Sequence, residues 1–279
     1  MPEGPEVASI TSELRKLMVG KTIVTVGMVQ WKNGRFLKGV EVALERVAFP
    51  LRVDYIGCKG KQILFRFSEI IGDSPVKWYG LSSLGMTGFW AITEESHAHI
   101  DFGFDDGTHV YYCDSRRFGN FTLTDDECQF QTILADLAPS FTGDEEYRIT
   151  LDVFAARTRA CKQKFLVVAL MDQHCICSSI GNYLLSELMY ATRLHPDIRC
   201  SDLTSAQIES LYANAVDLTE RSCTAGGMSM SDYRKPDGSQ GSFINQLAVY
   251  NKSVTPDGHV VTSSKGRHGR KIHWDPLAV

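Results

Sequence analysis

The residues with the clearest chemical potential stand at the start of the chain, where Pro2 is followed by Glu3 and, one helical turn further on, by Glu6. Once Met1 is removed, Pro2 carries a free secondary amine. Such an amine can attack a sugar C1′ and pass directly to an iminium ion while the group previously bound there leaves. An α-amino group has a reference pKa of about 8, well below that of lysine. The positive end of a following helix disfavours its protonated form further. Glu3 lies beside the amine and can protonate the ring oxygen or shuttle protons. Loss of Met1 is a condition of this chemistry, because a preceding residue would occupy the nitrogen. The same residues also suit an ordinary helix start, with proline in the first turn and acids near the positive end. On these positions alone both readings stand.

The elements that must position them follow from periodicity. Val7, Ile10, Leu14 and Leu17 share one helical face and Gly20 ends the pattern. From Thr22 to about Leu123 the pattern changes to short alternating segments, at Thr22 to Gly27, Gln62 to Phe67, Lys77 to Leu81, His99 to Phe104 and Thr108 to Cys113. Asp106-Gly107 suits a hairpin between the last two. Strands without intervening helices predict an antiparallel sandwich or barrel. Ala138 to Tyr147, with Pro139, Gly143 and three consecutive acids, reads as an exposed connection. Helical patterns dominate from about Leu151 to Arg221, and Gly- and Pro-rich loops with a terminal hairpin follow. The predicted fold class is α+β, with an N-terminal antiparallel β-sandwich and flanking helix over 1–137 and a helical unit over 138–279.

Length and composition fit two units, since 279 residues with 43% hydrophobic content can bury two cores. No run approaches the roughly 18 apolar residues that cross a bilayer. The N-terminus lacks the basic-then-apolar pattern of a signal peptide, so an intracellular location is expected. The eight cysteines include no Cys-x-x-Cys pair and read as reduced, packed thiols. Cys175 and Cys177 form the one close pair, and their single intervening residue suits neither a metal nor a redox motif. The net charge of −4 opposes a nucleic-acid partner, but its distribution does not. Residues 1–220 hold 21 Lys and Arg against 29 Asp and Glu, whereas 221–279 hold 8 against 4. A basic run such as Lys265 to Lys271 is by itself equally a solvated face.

Five blocks in order along the chain raise the specificity of the reading. Pro2-Glu3-Gly4-Pro5-Glu6, Gly60-Lys61-Gln62-Ile63-Leu64-Phe65, Leu84-Gly85-Met86-Thr87-Gly88, Asp114-Ser115-Arg116-Arg117-Phe118-Gly119 and Ser179-Ile180-Gly181-Asn182-Tyr183-Leu184-Leu185-Ser186-Glu187 together resemble the formamidopyrimidine-DNA glycosylase and endonuclease VIII family. The resemblance implies that Pro2, Glu3, Glu6 and Lys61 are catalytic. It also implies that Asn182, at the second helix of a helix-two-turns-helix begun by Phe165 to Met171, grips a DNA phosphate. Met86, Arg116 and Phe118 would fill the gap left by an extruded nucleotide, a task that apolar and planar cationic side chains perform. Without the family, Met86 and Phe118 read as core residues, Asn182 as an N-cap and Lys61 as an exposed hairpin lysine.

Many relatives end in a four-cysteine zinc finger, whereas no cysteine follows Cys223 here. Val249 to Thr262 and Gly269 to Trp274 instead resemble the two strands of a metal-free finger, at about 247–275, found in one Nei-like branch. Arg270 would be its phosphate-binding residue, and no metal or other cofactor is expected even though His259, His268 and His273 are nearby in sequence. The loop containing Gly226, Gly227, Ser229 and Tyr233 is glycine-rich and suits a cover over an extruded base.

The implied activity is that of a bifunctional DNA glycosylase/AP lyase acting through a Pro2 Schiff base with β,δ-elimination. Its expected partner is double-stranded DNA with oxidised bases or abasic sites, with single-stranded DNA as a further form, bound by a monomer in the nucleus or another DNA-containing compartment. The metal-free branch points to oxidised pyrimidines and hydantoins, while the length of the loop also suits oxidised purines. The alternative reading is a damaged-DNA-binding protein without catalysis.

Overall fold

A computed structural model describes residues 2–28, 38–72, 76–228 and 235–279. Helix α1 spans Gly4–Met18 and leads into β1, Thr22–Met28. The short helix α2, Lys38–Leu44, precedes β2, Leu51–Lys59, and β3, Gln62–Glu69. Then come β4, Lys77–Ser83; β5, Gly88–Ala91; β6, Ala98–Phe104; β7, His109–Asp114; and β8, Asn120–Thr124. Helices α3, Glu127–Asp136; α4, Leu151–Ala160; α5, Leu166–Met171; α6, Asn182–Thr192; and α7, Ser205–Thr224, follow. Strands β9, Thr262–Lys265, and β10, Lys271–Trp274, form the terminal hairpin.

The first eight strands make one antiparallel sheet in the order β5-β7-β6-β1-β2-β3-β4-β8. Strands β6 and β8 are five places apart in that order, about 24 Å in a flat sheet. Yet Phe102 and Phe121, one on each, have ring centroids 5.9 Å apart. The sheet is therefore folded over on itself as a sandwich. Trp90, Phe65 and Tyr112 complete the aromatic interior, and α1 covers it with Val7, Ile10, Leu14 and Met18. Leu17, expected on that face, is only half-buried, because Met18 takes the inner position at the last turn.

A second core gathers α4 to α7 around Phe154, Leu170, Leu185 and Leu211. The segment predicted as an exposed connection is largely interior: Ala138, Ser140, Phe141 and Thr142 are buried. Phe141 packs on Phe154 and Tyr212, while Ser140 and Gly143 form bridges to Arg148 and Lys59. Its glycine and acids suggested a surface loop, but two apolar residues pin the chain at the joint.

Helix α2 also interrupts a region predicted to hold strands alone, because Gly39-Val40-Glu41-Val42 alternates like a strand. The hairpin strand expected over Val249 to Thr262 is likewise shorter. Pairing begins at Thr262, and the preceding stretch turns at 256–258 with a single Val254 to Val260 bridge.

Candidate active site

Helix α1 begins hard against the turn that precedes α6. The Gly4 amide donates to the Ser179 carbonyl at 2.9 Å, and a Cβ on Gly4 would lie 2.5 Å from the Ser179 Cβ. This contact delivers Glu3 to the start of α6. A helix N-terminus leaves its first amides without partners and carries a partial positive charge. The Glu3 carboxyl accepts from the amides of Gly181 at 2.8 Å, Tyr183 at 2.9 Å and Leu184 at 3.3 Å. Burial raises its pKa to about 7; Lys61 and the amides oppose the rise, and the neighbouring Glu6 adds to it. At neutral pH this carboxyl can therefore give or take a proton.

Glu6 is equally enclosed. It accepts from the Glu3 amide at 2.7 Å, the Tyr183 hydroxyl at 2.9 Å and the Met228 amide at 2.8 Å. Burial raises its pKa as well. Gly226 and Gly227 both have positive φ, and a Cβ on Gly227 would fall 2.8 Å from Glu6. The base of the glycine-rich loop thus rests on Glu6. Ser229 and Tyr233 lie outside the described residues. Pro2 is buried at the head of this arrangement.

Lys61 enters from the β2–β3 turn, where Gly60 adopts φ +59° and leaves no room for a Cβ beside the Ser178 carbonyl, 2.3 Å away. Its Nζ donates to the Ile180 carbonyl at 2.7 Å. Burial lowers the lysine pKa against the pull of Glu3, and the charge of Arg270 lowers it further. Asn182 donates from Nδ2 to the Lys271 carbonyl at 2.9 Å, and its Oδ1 lies 3.0 Å from His268 Nε2. Burial and Arg270 lower the His268 pKa, favouring a neutral ring. The N-cap of α6 is Gly181, so Asn182 is the first helical residue and its side chain reaches across to the hairpin. Pro2, Glu3, Glu6, Lys61, Asn182 and Arg270 are therefore gathered around one helix start.

Met86, Arg116 and Phe118 form a group of their own on two apposed turns. A Cβ on Gly85 would meet the Phe118 backbone at 2.4 Å. Met86 and Phe118 are 39% and 56% exposed, so neither is a core residue. The Arg116 guanidinium stands 4.5 Å from the centre of the Phe118 ring. Buried Asp114, the first residue of its block, shapes the turn by accepting from Thr87 at 2.5 Å and the Gly119 amide at 2.8 Å.

Two further residues, Gly181 and Glu187, stand in the last of the quoted blocks without a role of their own. Gly181 must be small, since an added Cβ would lie 2.3 Å from the Glu3 Cδ. Gly181→Ala is expected to cost about 1–3 kcal/mol through overpacking, seen as a lower urea midpoint, and to displace Glu3. Glu187, buried on α6, accepts from the amides of Ala248, Val249 and Tyr250 at 2.8, 3.0 and 2.7 Å. It moors the segment that leads to the hairpin. Glu187→Ala would strand those donors and is expected to cost about 3 kcal/mol in denaturant unfolding.

The hairpin is also held by Arg267, which pairs with Asp197 at 3.0 Å and covers Phe165 at 4.9 Å. His259 pairs with Asp275 at 2.7 Å and His268 with Asn182, so these histidines serve separate contacts. Among the described residues no group of three His, Cys, Asp or Glu is arranged to hold a metal. None of the described helices is long and apolar enough to cross a membrane.

A folded antiparallel sheet is here joined to a helix-two-turns-helix, with buried carboxyls where the two meet. The sequence profile of the formamidopyrimidine-DNA glycosylase N-terminal domain matches residues 1–121, and that of the H2TH domain of the same enzymes matches residues 143–234. A formamidopyrimidine-DNA glycosylase of Exiguobacterium sibiricum is 30% identical over 262 residues, covering 92% of this chain and 90% of that protein. One from Enterococcus faecalis is 30% identical over 264 residues, covering 92% and 88%. A Lactococcus lactis Fpg solved with DNA containing an abasic site superposes with a TM-score of 0.82 at 24% identity, covering 99% of this chain and 98% of that one; it speaks to the fold. The chain belongs to the formamidopyrimidine-DNA glycosylase family and is a DNA N-glycosylase of DNA repair.

Proposed function

We propose that the protein is a bifunctional glycosylase/AP lyase that excises oxidised bases through the Pro2 nitrogen. The carrying observation is the position of Glu3 at the N-terminal head of α1 and, at the same time, on the first amides of α6. After loss of Met1, the neutral amine attacks C1′ of an extruded nucleotide. The C1′–base bond breaks with its electron pair leaving on the base, and Glu3 delivers a proton to the opening ring oxygen. The iminium acidifies the sugar carbons, so β-elimination expels one phosphate and δ-elimination the other, leaving a gap. Glu6 is a positioning residue that ties Glu3, Tyr183 and the loop base together.

Lys61, Asn182 and Arg270 would hold phosphates around the lesion, and Met86, Arg116 and Phe118 would fill the stack behind it. The catalytic unit is 1–137, and 138–279 grips DNA with a hairpin that works without zinc. The enzyme acts as a monomer on duplex and single-stranded DNA in the nucleus or another DNA-containing compartment.

For the base, the metal-free branch supports oxidised pyrimidines and hydantoins. A second reading, ring-opened and oxidised purines, draws on the names of the relatives and on Lactococcus lactis Fpg solved with DNA containing Fapy-dG. Borohydride reduction with duplexes bearing thymine glycol, a hydantoin, a formamidopyrimidine or 8-oxoguanine tests both levels. A covalent adduct on some duplex supports the lyase chemistry, and the relative rates choose the base. Binding without an adduct would remove the Schiff-base step, and binding without released base as well would favour the non-catalytic alternative.

A further inference from the structure

Outside the site, a second reactive cluster stands on the helix-two-turns-helix. Lys164, between α4 and α5, donates to the Cys175 sulfur at 2.7 Å. Cys175, in the turn after α5, donates in turn to Asp172 at 2.9 Å, and Lys164 reaches the same carboxylate oxygen at 3.2 Å. Spacing relates Cys175 to Cys177 alone, whereas the fold gives it a lysine. Cys175 is partly accessible, and the Lys164 and Asp172 side chains are 44% and 35% exposed, so small oxidants can reach the group. We propose that Lys164 and Cys175 are an oxidant-driven modification site that closes to a covalent, thiol-reversible nitrogen–sulfur link.

The chemistry balances with hydrogen peroxide as oxidant. As the Cys175 sulfur attacks one peroxide oxygen, its thiol proton passes by way of Asp172 to the departing oxygen; the S–O bond forms, the O–O bond breaks and water leaves. The sulfur, oxidised by two electrons, is now a sulfenic acid. The Cys175 sulfur is the largest of the influences that raise the Lys164 pKa, so oxidation of that sulfur eases release of the extra proton. The free amine then attacks sulfur; the N–S bond forms, the S–O bond breaks and hydroxide leaves with the amine proton as a second water. One thiol, one amine and one peroxide become one sulfenamide and two waters.

The link would need little rearrangement, because nitrogen and sulfur already touch. Arg157 also fixes the turn through the carbonyls of Cys175 and His174, at 2.6 and 2.7 Å. Its benefit is protective. Oxidation past the sulfenic stage is irreversible for an ordinary cysteine. A sulfinate would set an anion beside Asp172, in the turn that runs on to Ile180, Gly181 and Tyr183. Capture by Lys164 stops oxidation at a rung that thiols can reverse.

The test treats the full-length protein with hydrogen peroxide, digests it without reductant and maps peptides by mass. Wild type is expected to yield the Lys164 peptide joined to the Cys175 peptide, two hydrogens lighter than their sum and released by dithiothreitol. Lys164→Arg, which keeps a cation for Asp172, should lose the link and accumulate Cys175 sulfinic acid about tenfold or more above wild type. Its melting temperature after peroxide and reductant should fall, while wild type recovers. Cys175→Ser should show neither product; if that variant does not fold, Lys164→Arg decides alone. A disulfide from Cys175 to Cys161 or Cys200, equal sulfinic acid in both proteins, or an unmodified Cys175 overturns the proposal. None of these readouts involves DNA, so the outcome is separate from that of the glycosylase reading.

Discussion

Protein that retains any residue in front of Pro2 is expected to lose the borohydride-trapped adduct and cleavage at abasic sites by about 10⁴-fold or more, the scale on which removal of a nucleophile acts. Acylation turns the secondary amine into an amide whose lone pair is delocalised. The surrounding contacts do not require a free terminus, since the Glu3 and Gly4 amides make their own bonds, to Glu6 and to the Ser179 carbonyl. Binding to damaged duplex should therefore survive, and a loss confined to trapping reads the chemistry rather than the fold. Pro2→Gly, which replaces the ring by a primary amine, should lose the adduct as well. The rival nucleophile is Lys61, whose amine burial makes easier to deprotonate. Persistent trapping in the blocked protein that disappears in Lys61→Met would move the covalent role to that lysine.

The parts of this arrangement legible in sequence are those with local signatures. The segments read as alternating match β1, β3, β4, β6 and β7 closely, although β4 is buried over five consecutive residues. Strands β5 and β8 were missed: they are four and five residues long and sit beside the turns that carry Met86 and Phe118. β2 was missed as well, though its first four residues alternate and four of its last five are buried. The exposure of Met86 and Phe118 ran against composition, which reads a methionine or phenylalanine as interior. Least legible was the meeting of Glu3 with α6. Its bonds to Gly181, Tyr183 and Leu184 span 178 to 181 positions, and neither periodicity nor spacing reports such contacts. Gly181 and Gly60 show the same limit, for they are small because of what a distant segment places against them.

Glu3→Gln is expected to lower base excision by about 10²–10⁴-fold, the usual range for a proton-transferring group, and to remove the high-pH limb of its rate profile. A carboxyl at its ordinary 4.5 would be protonated in only about one molecule in 300 at pH 7. Burial brings Glu3 to about 7, where half of the molecules hold the proton. If Glu3 is the acid, single-turnover excision falls tenfold per unit above about pH 8, while the limb on the acid side belongs to protonation of the Pro2 amine. Stability follows the same proton. A carboxyl raised on folding contributes stability that is complete below its unfolded pKa and is lost as pH rises through the folded one. Wild type should thus lose about 3 kcal/mol from this group between pH 5 and pH 8. The glutamine variant should begin less stable at pH 5, because its amide nitrogen must face the α6 amides, yet lose less over the interval. Glu6, whose pKa burial also raises, contributes to the slope that remains. Denaturant unfolding at the two pH values, set beside the excision profile, joins the two effects in one residue. A variant that keeps both the wild-type limb and the wild-type slope would show that the proton comes from elsewhere.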